Sequence, residues 1–324
     1  MRTSISILAL VTAAGALAFG QPAAAEYPER PIRILTPFSA GSVTDVIART
    51  LASNLSEAWG QPVVVDNRAG AGGVLAAEIV AKSPPDGYTL LIGATGPTTV
   101  NPSLIRKLPY DAARDFAPIT LTAANVLLLA LAPSVPAKSV KELIALARAK
   151  PGELRYGSPG IGSSPHLAGE LFGALAKVQM THVLYKGSPQ YVVDLLAGRI
   201  DFVIAAAGPL LPHIKTGRLR LLGVSTPERD PAMPDVPTIM EGLPGFEVVG
   251  WFGILGRAGT PAPVIRKLHA EIVRIVGLPS VKAQFAANGM ETRVSASPAE
   301  FAELIRKDRE RWAKVIREAG IKAE

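Results

Sequence analysis

The segment that decides the fold is residues 32–55, which read IRILTPFSAGSVTDVIARTLASNL. Residues 32–37 are mostly apolar, which predicts a buried strand. A loop of small residues follows, and then Ile47, Leu51 and Leu55 recur every four residues, which is the spacing of one helix face. A buried strand leading directly into a helix is the repeating unit of an α/β sheet with right-handed crossovers.

The same pattern recurs along the chain. Further strands are predicted at residues 63–66, 89–93, 126–132, 182–185, 200–206 and 219–225. Several of them are apolar throughout, as expected of strands buried on both faces of a parallel sheet. Glycine- and proline-rich loops lie between many strands and helices, at the sheet edge where open α/β sheets bind ligands.

The first 25 residues indicate export. Arg2 provides a positive start, residues 5–19 are apolar, and Ala23, Ala24 and Ala25 form a small-residue cleavage site before Glu26. This order is typical of a secretory signal peptide, and an uncleaved N-terminal anchor is the alternative. We therefore expect a soluble periplasmic protein that begins at Glu26.

Composition excludes several classes of protein. The chain has 324 residues, a length that suits two lobes, with 48% apolar and 19% charged residues and no cysteine. Disulfides, thiol catalysis and thiolate metal sites are therefore excluded. The net charge is +7, but the basic residues are scattered, so no nucleic-acid partner is predicted.

Catalytic and metal-binding motifs are missing from the sequence. There is no phosphate-binding G-K-[ST] loop, no H-E-x-x-H and no G-x-S-x-G elbow, and the four histidines lack metal-ligand spacing. No nucleophile, base and orienting group can be assembled from the sequence. We predict no enzyme activity, no cofactor and no metal.

Three loops that join a strand to a helix are candidate anion sites. They span residues 37–45, 156–166 and 185–189, and each offers backbone N–H groups and hydroxyls at a helix N-terminus. Each has an alternative interpretation. Asp45 suits a plain capped turn, His166 suits a surface or capping position, and Lys186 suits an exposed side chain beside a helix. In a fourth glycine-rich turn, residues 65–73, we expect Asp66 and Arg68 to tie the loop together.

The order of short motifs resembles one known family. The motifs are Tyr27-Pro-Glu-Arg-Pro-Ile-Arg33, Gly60-Gln-Pro-Val-Val-Val-Asp-Asn-Arg68, Pro85-Asp-Gly-Tyr-Thr-Leu-Leu91, Leu108-Pro-Tyr-Asp111, His166-Leu-Ala-Gly-Glu170, Val183-Leu-Tyr-Lys-Gly187, Pro234-Asp-Val-Pro-Thr238 and Gly242-Leu-Pro-Gly-Phe246. Over nearly the whole chain they are similar to the periplasmic solute receptors of tripartite tricarboxylate transporters, the Bug family.

The resemblance implies an α/β, two-lobed periplasmic binding protein. Each lobe would be a mainly parallel sheet flanked by helices, with the ligand in the interlobe cleft. After the signal peptide at 1–25, residues 26–125 and 247–324 would form a discontinuous first lobe, and residues 126–246 the second.

The resemblance also implies the ligand-binding residues. Family ligands are mostly small carboxylates, held by backbone amides, hydroxyls and water. The positions that match, with the Ala205 position discussed below, are Phe38, Ser39, Thr44, Asp45, Thr95, Gly96, Ser158, Gly162, Ser163, Ser164, His166, Tyr185, Lys186, Gly187 and Ala205.

Two departures from the family pattern affect the expected ligand. Ser42 and Val43 follow Gly41 where the family often has a second glycine, and a Cβ there restricts the backbone. Ala205 stands where the family often has an aspartate. Its loss disfavours an amino acid and favours a dicarboxylate or an aromatic acid.

These inferences predict a receptor that captures a di-, tri- or aromatic carboxylate by lobe closure. It would deliver the ligand to integral-membrane transporter subunits, and we expect a monomer. A sensor that feeds a signalling partner is the alternative, and a secreted serine hydrolase is a weaker one.

Overall fold

The computed structural model describes residues 27–230 and 233–321, so the predicted signal peptide lies outside the described residues. The described chain is a mixed α/β protein. Its strands are β1 (Ile32–Thr36), β2 (Val63–Asn67), β3 (Thr89–Ala94), β4 (Phe116–Leu131), β5 (Arg155–Ser158), β6 (Thr181–Leu184), β7 (Phe202–Ala206), β8 (Arg220–Val224), β9 (Val249–Arg257) and β10 (Met290–Thr292).

Helices connect most of these strands. They are α1 (Val43–Trp59), α2 (Val74–Ala81), α3 (Asn101–Leu104), α4 (Val140–Ala149), α5 (Ser164–Ala176), α6 (Ser188–Leu196), α7 (Ala207–Lys215), α8 (Ile239–Gly242), α9 (Ala262–Gly277), α10 (Pro279–Ala287) and α11 (Pro298–Ala319). A 3-10 turn (Ala71–Gly73) precedes α2, and a π-helical turn (Gly96–Val100) follows β3.

The strands run in the order β2-β1-β3-β9-β4-β7-β5-β6, with β8 and β10 also paired to β4. Strands β1, β2 and β3 are parallel, and so are β5, β6 and β7. Strands β1–β3, β9 and β10 form one sheet with the first part of β4, which we call the first lobe. Strands β5–β8 form another with its last part, which we call the second lobe. The two-lobed α/β fold is confirmed, with a parallel group of strands in each lobe.

The centre of the sheet differs from the expectation, because β4 and β9 are antiparallel to their neighbours. Strand β4 has 16 residues, or about 53 Å at the usual rise, and it belongs to both lobes. Its last pair with β9 is Val126 with Val249, and its first pair with β7 is Leu127 with Ala206. The strand prediction at 126–132 found only the second-lobe end of β4.

Hydrophobic burial follows the predicted helix face. Ile47, Leu51 and Leu55 of α1 are all fully buried in the first lobe. Helix α11 spans both lobes, because Phe301 packs in a first-lobe core and Trp312 packs in the second-lobe core. Neither parallel group is therefore held by its own connecting helices alone.

Candidate functional site

A cleft lies where the carboxyl ends of β1, β3, β5 and β7 face one another. It encloses about 520 Å³ of empty space, part of it open to solvent. Its lining comes from both lobes: Phe38, Ser42, Val43, Thr44, Ala94, Gly96, Asn125, Pro159, Ser163, Ser164, Pro165, Ser188, Tyr191, Ala206 and Phe252. None of these lining residues is charged.

Three helices begin at the cleft. Helix α1 is capped by Ser42, whose Oγ accepts from the Asp45 N–H, and α5 is capped by Ser163, whose Oγ accepts from the His166 N–H. Helix α6 begins after Gly187 without a side-chain cap. Because the first N–H groups of a helix lack intrahelical acceptors, the cleft is provided with donors for an anion.

The first-lobe loop is held in shape by Asp45. Its carboxylate accepts hydrogen bonds from the Gly41 N–H, Arg49 Nε and Asn67 Nδ2, each at 2.9 Å. Burial opposes ionisation, but these bonds, with the charge of Arg49, hold the pKa of Asp45 below its usual range. Asp45 therefore organises the loop, and Thr44 beside it lines the cleft.

The substitution at Ser42 and Val43 leaves the first loop regular. Ser42 has φ −75° and Val43 is the first residue of α1, so both adopt conformations open to any residue. The left-handed conformation falls on Gly41, at φ +77°. A Cβ at positions 42 and 43 is thus compatible with the turn.

The second-lobe loop is built around buried hydroxyls. Ser163 Oγ donates to the Gly160 carbonyl at 2.6 Å, and Ser158 Oγ lies 2.7 Å from His182 Nε2. Ser158 is fully buried and also accepts from the Gly160 N–H. No sequence pattern predicted this serine–histidine pair, which lies behind the cleft wall and stabilises the loop.

His166 is a fully buried residue, in contrast to the surface alternative. Its Nδ1 accepts from the Gly162 N–H at 3.2 Å, and its Nε2 has no hydrogen-bond partner. Burial, with a smaller contribution from His182, lowers the pKa of His166 to about 3. His166 is therefore a neutral residue near pH 7, and it cannot act as a fixed cation for a carboxylate.

The two lobes touch at one rim of the cleft through Ser39 and Gly187. The Ser39 N–H donates to the Lys186 carbonyl at 3.2 Å. A Cβ on Gly187 would overlap the Ser39 hydroxyl. The backbones at this rim are therefore in direct contact.

The other rim is closed in the same way. A Cβ on Gly72 would overlap the Ile161 carbonyl, and one on Gly162 would overlap Asn101 Oδ1. Asn101 Nδ2 also donates to the Gly72 carbonyl at 3.3 Å. Both rims together indicate a closed arrangement of the lobes.

Two polar atoms in the cleft lack partners. Asn125 Oδ1 and Ser188 Oγ are buried without a hydrogen bond, although both residues line the cleft. Buried polar groups are nearly always satisfied in native proteins. These atoms are therefore positioned to bind a ligand or an ordered water.

The structure separates the predicted site residues into three groups. The cleft is lined by Phe38, Thr44, Gly96, Ser163 and Ser164. The loops behind it or at its rim contain Ser39, Asp45, Thr95, Ser158, Gly162, His166 and Gly187. Three residues have side chains away from the lining. The Tyr185 hydroxyl donates to Asp194, the Lys186 side chain is exposed, and Ala205 lies in the second-lobe core.

The sequence prediction missed ten lining residues, namely Ser42, Val43, Ala94, Asn125, Pro159, Pro165, Ser188, Tyr191, Ala206 and Phe252. Phe252 lies on β9, which was not predicted. The place of Ala206 in the lining could have been predicted from strand alternation, because neighbouring side chains on β7 point to opposite faces.

Solved structures of the same fold define the class of protein. The structure of Rpa4515 from R. palustris with adipate has a TM-score of 0.87 and 38% identity, and covers 92% of this chain and 99% of that one. The structure of the periplasmic binding protein BugD has a TM-score of 0.87 and 30% identity, and covers 92% of this chain and 100% of that one. The structure of MatC from Rhodopseudomonas palustris with bound malate has a TM-score of 0.85 and 31% identity, and covers 90% of this chain and 100% of that one. The protein thus has the fold of a periplasmic solute-binding protein.

Sequence comparisons identify the family. A protein encoded in the tcbD–tcbE intergenic region of Pseudomonas sp. strain P51 is 40% identical over 92% of this chain and 88% of its own length. BugT of Bordetella pertussis is 39% identical over 91% of each chain. The family model for the tripartite tricarboxylate transporter family receptor matches residues 47–321. The chain belongs to this family of periplasmic solute receptors, which confirms the resemblance.

The helices of the described residues bear on membrane attachment. Among residues 27–230 and 233–321, no helix is both long and apolar enough to cross a bilayer.

Proposed function

We propose that this protein is a periplasmic receptor that closes on a small organic carboxylate and delivers it to the membrane subunits of a tripartite transporter. One observation carries the proposal: the N-termini of α1, α5 and α6 meet at a cleft whose lining residues carry no charge. Backbone N–H groups and hydroxyls can bind a carboxylate without a paired cation.

The cleft favours an acid with an apolar body. Phe38, Tyr191 and Phe252 line it between the polar groups, and the lining includes no carboxylate that could pair with an ammonium group. Burying an unpaired cation is costly. We therefore propose a dicarboxylate, a tricarboxylate or an aromatic acid rather than an amino acid, in accord with the adipate- and malate-bound relatives.

Closure is the proposed mechanism of capture. We place the two crossings between the lobes near residues 125 and 247, because β4 exchanges β9 for β7 between Val126 and Leu127, and bending there would open both rims together. A ligand that contacts both lobes binds the closed arrangement better and shifts the population toward it. We propose a first lobe of residues 26–125 and 247–324, from which α11 reaches the core of the second lobe through Trp312. The second lobe is residues 126–246, and we propose a monomer in solution.

A panel of acids tests the ligand class. Adipate, succinate, malate, benzoate and aspartate are added in turn, and the melting temperature and the heat of binding are measured. A true ligand raises the melting temperature by mass action, and micromolar affinity corresponds to about −8 kcal/mol. If aspartate binds better than succinate, the argument from the uncharged cleft is wrong.

The hydrolase alternative has a specific test, because Ser158 and His182 are in contact. We expect no turnover of model esters. Ester hydrolysis that is abolished by Ser158→Ala would contradict the receptor proposal.

Export and delivery require experiments in cells. N-terminal sequencing of periplasmic protein should begin at Glu26, whereas a membrane-bound chain that begins at Met1 would contradict cleavage after Ala25. Deletion of the protein should abolish uptake of its labelled ligand. If uptake persists and only a ligand-dependent signalling response is lost, the sensor alternative is correct.

A further inference from the structure

A partly buried carboxyl group lies behind the cleft wall, on the long C-terminal helix. Asp308 Oδ2 lies 2.8 Å from Trp251 Nε1 on β9 and 3.0 Å from Thr99 Oγ1 in the π-helical turn. Gly96 of the same turn lines the cleft. A side chain of α11 is thus connected through one turn to the proposed ligand site.

The hydrogen bonds of Thr99 require one more proton than Thr99 itself can supply. Its hydroxyl also donates to the Thr95 carbonyl at 2.6 Å, which is the shorter of its two contacts. A hydroxyl has one proton, and an ionised carboxylate can only accept. Both contacts are full hydrogen bonds only if Asp308 holds a proton and donates it to Thr99.

The surroundings of Asp308 favour the neutral carboxyl. Burial raises the pKa of Asp308, against the opposing effects of Trp251, Thr99, Arg311 and Trp312. Among those four, only Arg311 is charged, and it is shared with Glu247 in an ion pair at 3.2 Å. The net direction is a pKa above that of an ordinary aspartate.

The turn that Asp308 contacts has little freedom on its other sides. Thr98 Oγ1 donates to the Ala94 carbonyl at 2.6 Å, and the Tyr110 hydroxyl donates to the Pro97 carbonyl at 2.7 Å. Gly96 lies so close to the second lobe that a Cβ on it would be 3.0 Å from the Gly162 carbonyl. A small shift of the turn therefore changes both the cleft wall and one rim.

We propose that Asp308 is a positioning residue which, in its protonated form, holds the turn of residues 96–100 in the geometry that binds ligand and admits closure. The effect on affinity rests on the proposed function. The protonation state of Asp308 does not depend on it.

Three variants test the positioning role. Asp308→Asn keeps a donor for Thr99 but loses the acceptor for the Trp251 N–H, because both contacts are made to the single atom Oδ2. The affinity for adipate, or for the best acid of the panel, should therefore fall by less than about tenfold. Asp308→Leu removes both bonds and should weaken binding about tenfold or more, the effect of losing a buried hydrogen bond. Glu310→Gln, an exposed carboxyl on the same helix, is the matched control and should change nothing. If Asp308→Asn is as damaging as Asp308→Leu, the proposal is overturned.

A ligand-free measurement tests the proton directly. A raised native pKa means that the native state binds more protons than the unfolded one, so this stabilisation is lost as pH rises through the native pKa. The free energy of unfolding of the unmodified protein, relative to Asp308→Asn, should therefore fall as the pH rises from about 4, the usual pKa of an aspartate, toward the raised native pKa. A relative stability that rises with pH, or stays constant, would show an ionised Asp308 and refute the proposal.

The two readouts separate the possible failures. If no acid binds any variant but the relative stability falls with pH, the proposed function fails while the proton assignment stands. The indole N–H resonance of Trp251, assigned with Trp251→Phe, should shift over the same pH range as the stability difference. A Trp251 resonance that is unaffected while Asp308 titrates would contradict the contact itself.

Discussion

Replacing Gly187 by alanine tests whether ligand binding needs the rim contact between the two lobes. Gly187 has φ 173°, which is extended backbone that any residue adopts, so alanine introduces no strain within its own lobe. Its Cβ would overlap Ser39 Oγ and lie 3.1 Å from Ser39 Cβ. The cost therefore falls on the closed arrangement, in which Ser39 and Gly187 meet.

The size of the effect follows from that overlap. Real Cβ atoms essentially never approach another heavy atom within 3.0 Å, so the Ser39 hydroxyl must rotate away, and the rim must also open by a few tenths of an ångström to relieve the contact with Ser39 Cβ. Overpacking of this kind costs about 1–3 kcal/mol, which lowers the affinity roughly 5- to 150-fold if the ligand binds the closed arrangement. The melting temperature of the ligand-free protein should be nearly unchanged, since the open lobes avoid the contact.

The assay is calorimetry with the best acid of the panel on the unmodified protein and three variants. Gly277→Ala is the control, because a Cβ at this helical position meets nothing within 4 Å. Adding Ser39→Gly to Gly187→Ala removes the clashing side chain and should recover most of the lost affinity. An unchanged affinity in Gly187→Ala would refute closure at this rim, and a loss that Ser39→Gly does not recover would refute the stated cause.

Three further changes probe the site. Lys186→Met should reduce carboxylate affinity by less than about fivefold, because the side chain is exposed and only the Lys186 backbone meets the other lobe; calorimetry showing a thousandfold loss would establish a cation anchor. Ala206→Asp should lower the affinity for succinate and bring it closer to the affinity for aspartate. Ala205→Asp buries an unpaired carboxylate and should chiefly lower the melting temperature. Because the pKa of His166 is about 3, the free energy of unfolding of the unmodified protein, relative to His166→Gln, should fall as the pH drops from about 6.5 toward 3. Urea titrations measure this difference, and a difference that does not change with pH would contradict the burial of His166.

The sequence predicted the parallel parts of the fold because their signals are local. An apolar strand, a small-residue loop and a helix with one apolar face occur together in residues 32–55, and β1 and α1 form there. The long central strands lack such a signal. Strand β9 reads VGWFGILGR, and its three glycines weaken the β pattern although most of the strand is buried.

The binding loops were predicted, but the roles of individual side chains within them were not. Asp45 and His166 occur in loops that face the cleft, yet Asp45 binds Arg49 and Asn67, and His166 binds the Gly162 N–H. Those partners depend on how β2, α1 and the second-lobe loop pack together. The expected tie between Asp66 and Arg68 is confirmed, with an ion pair at 3.0 Å.

The inference about ligand charge depends on one strand and its alternation. It was drawn at Ala205, which pairs with Leu128 and is fully buried in the second-lobe core. Ala206, the next residue, faces the cleft. An aspartate at 205 would be buried among the apolar side chains of the second-lobe core, whereas one at 206 could contact a ligand ammonium group. The expectation of an acid without an amino group therefore rests on the uncharged cleft lining, to which Ala206 contributes and Ala205 does not.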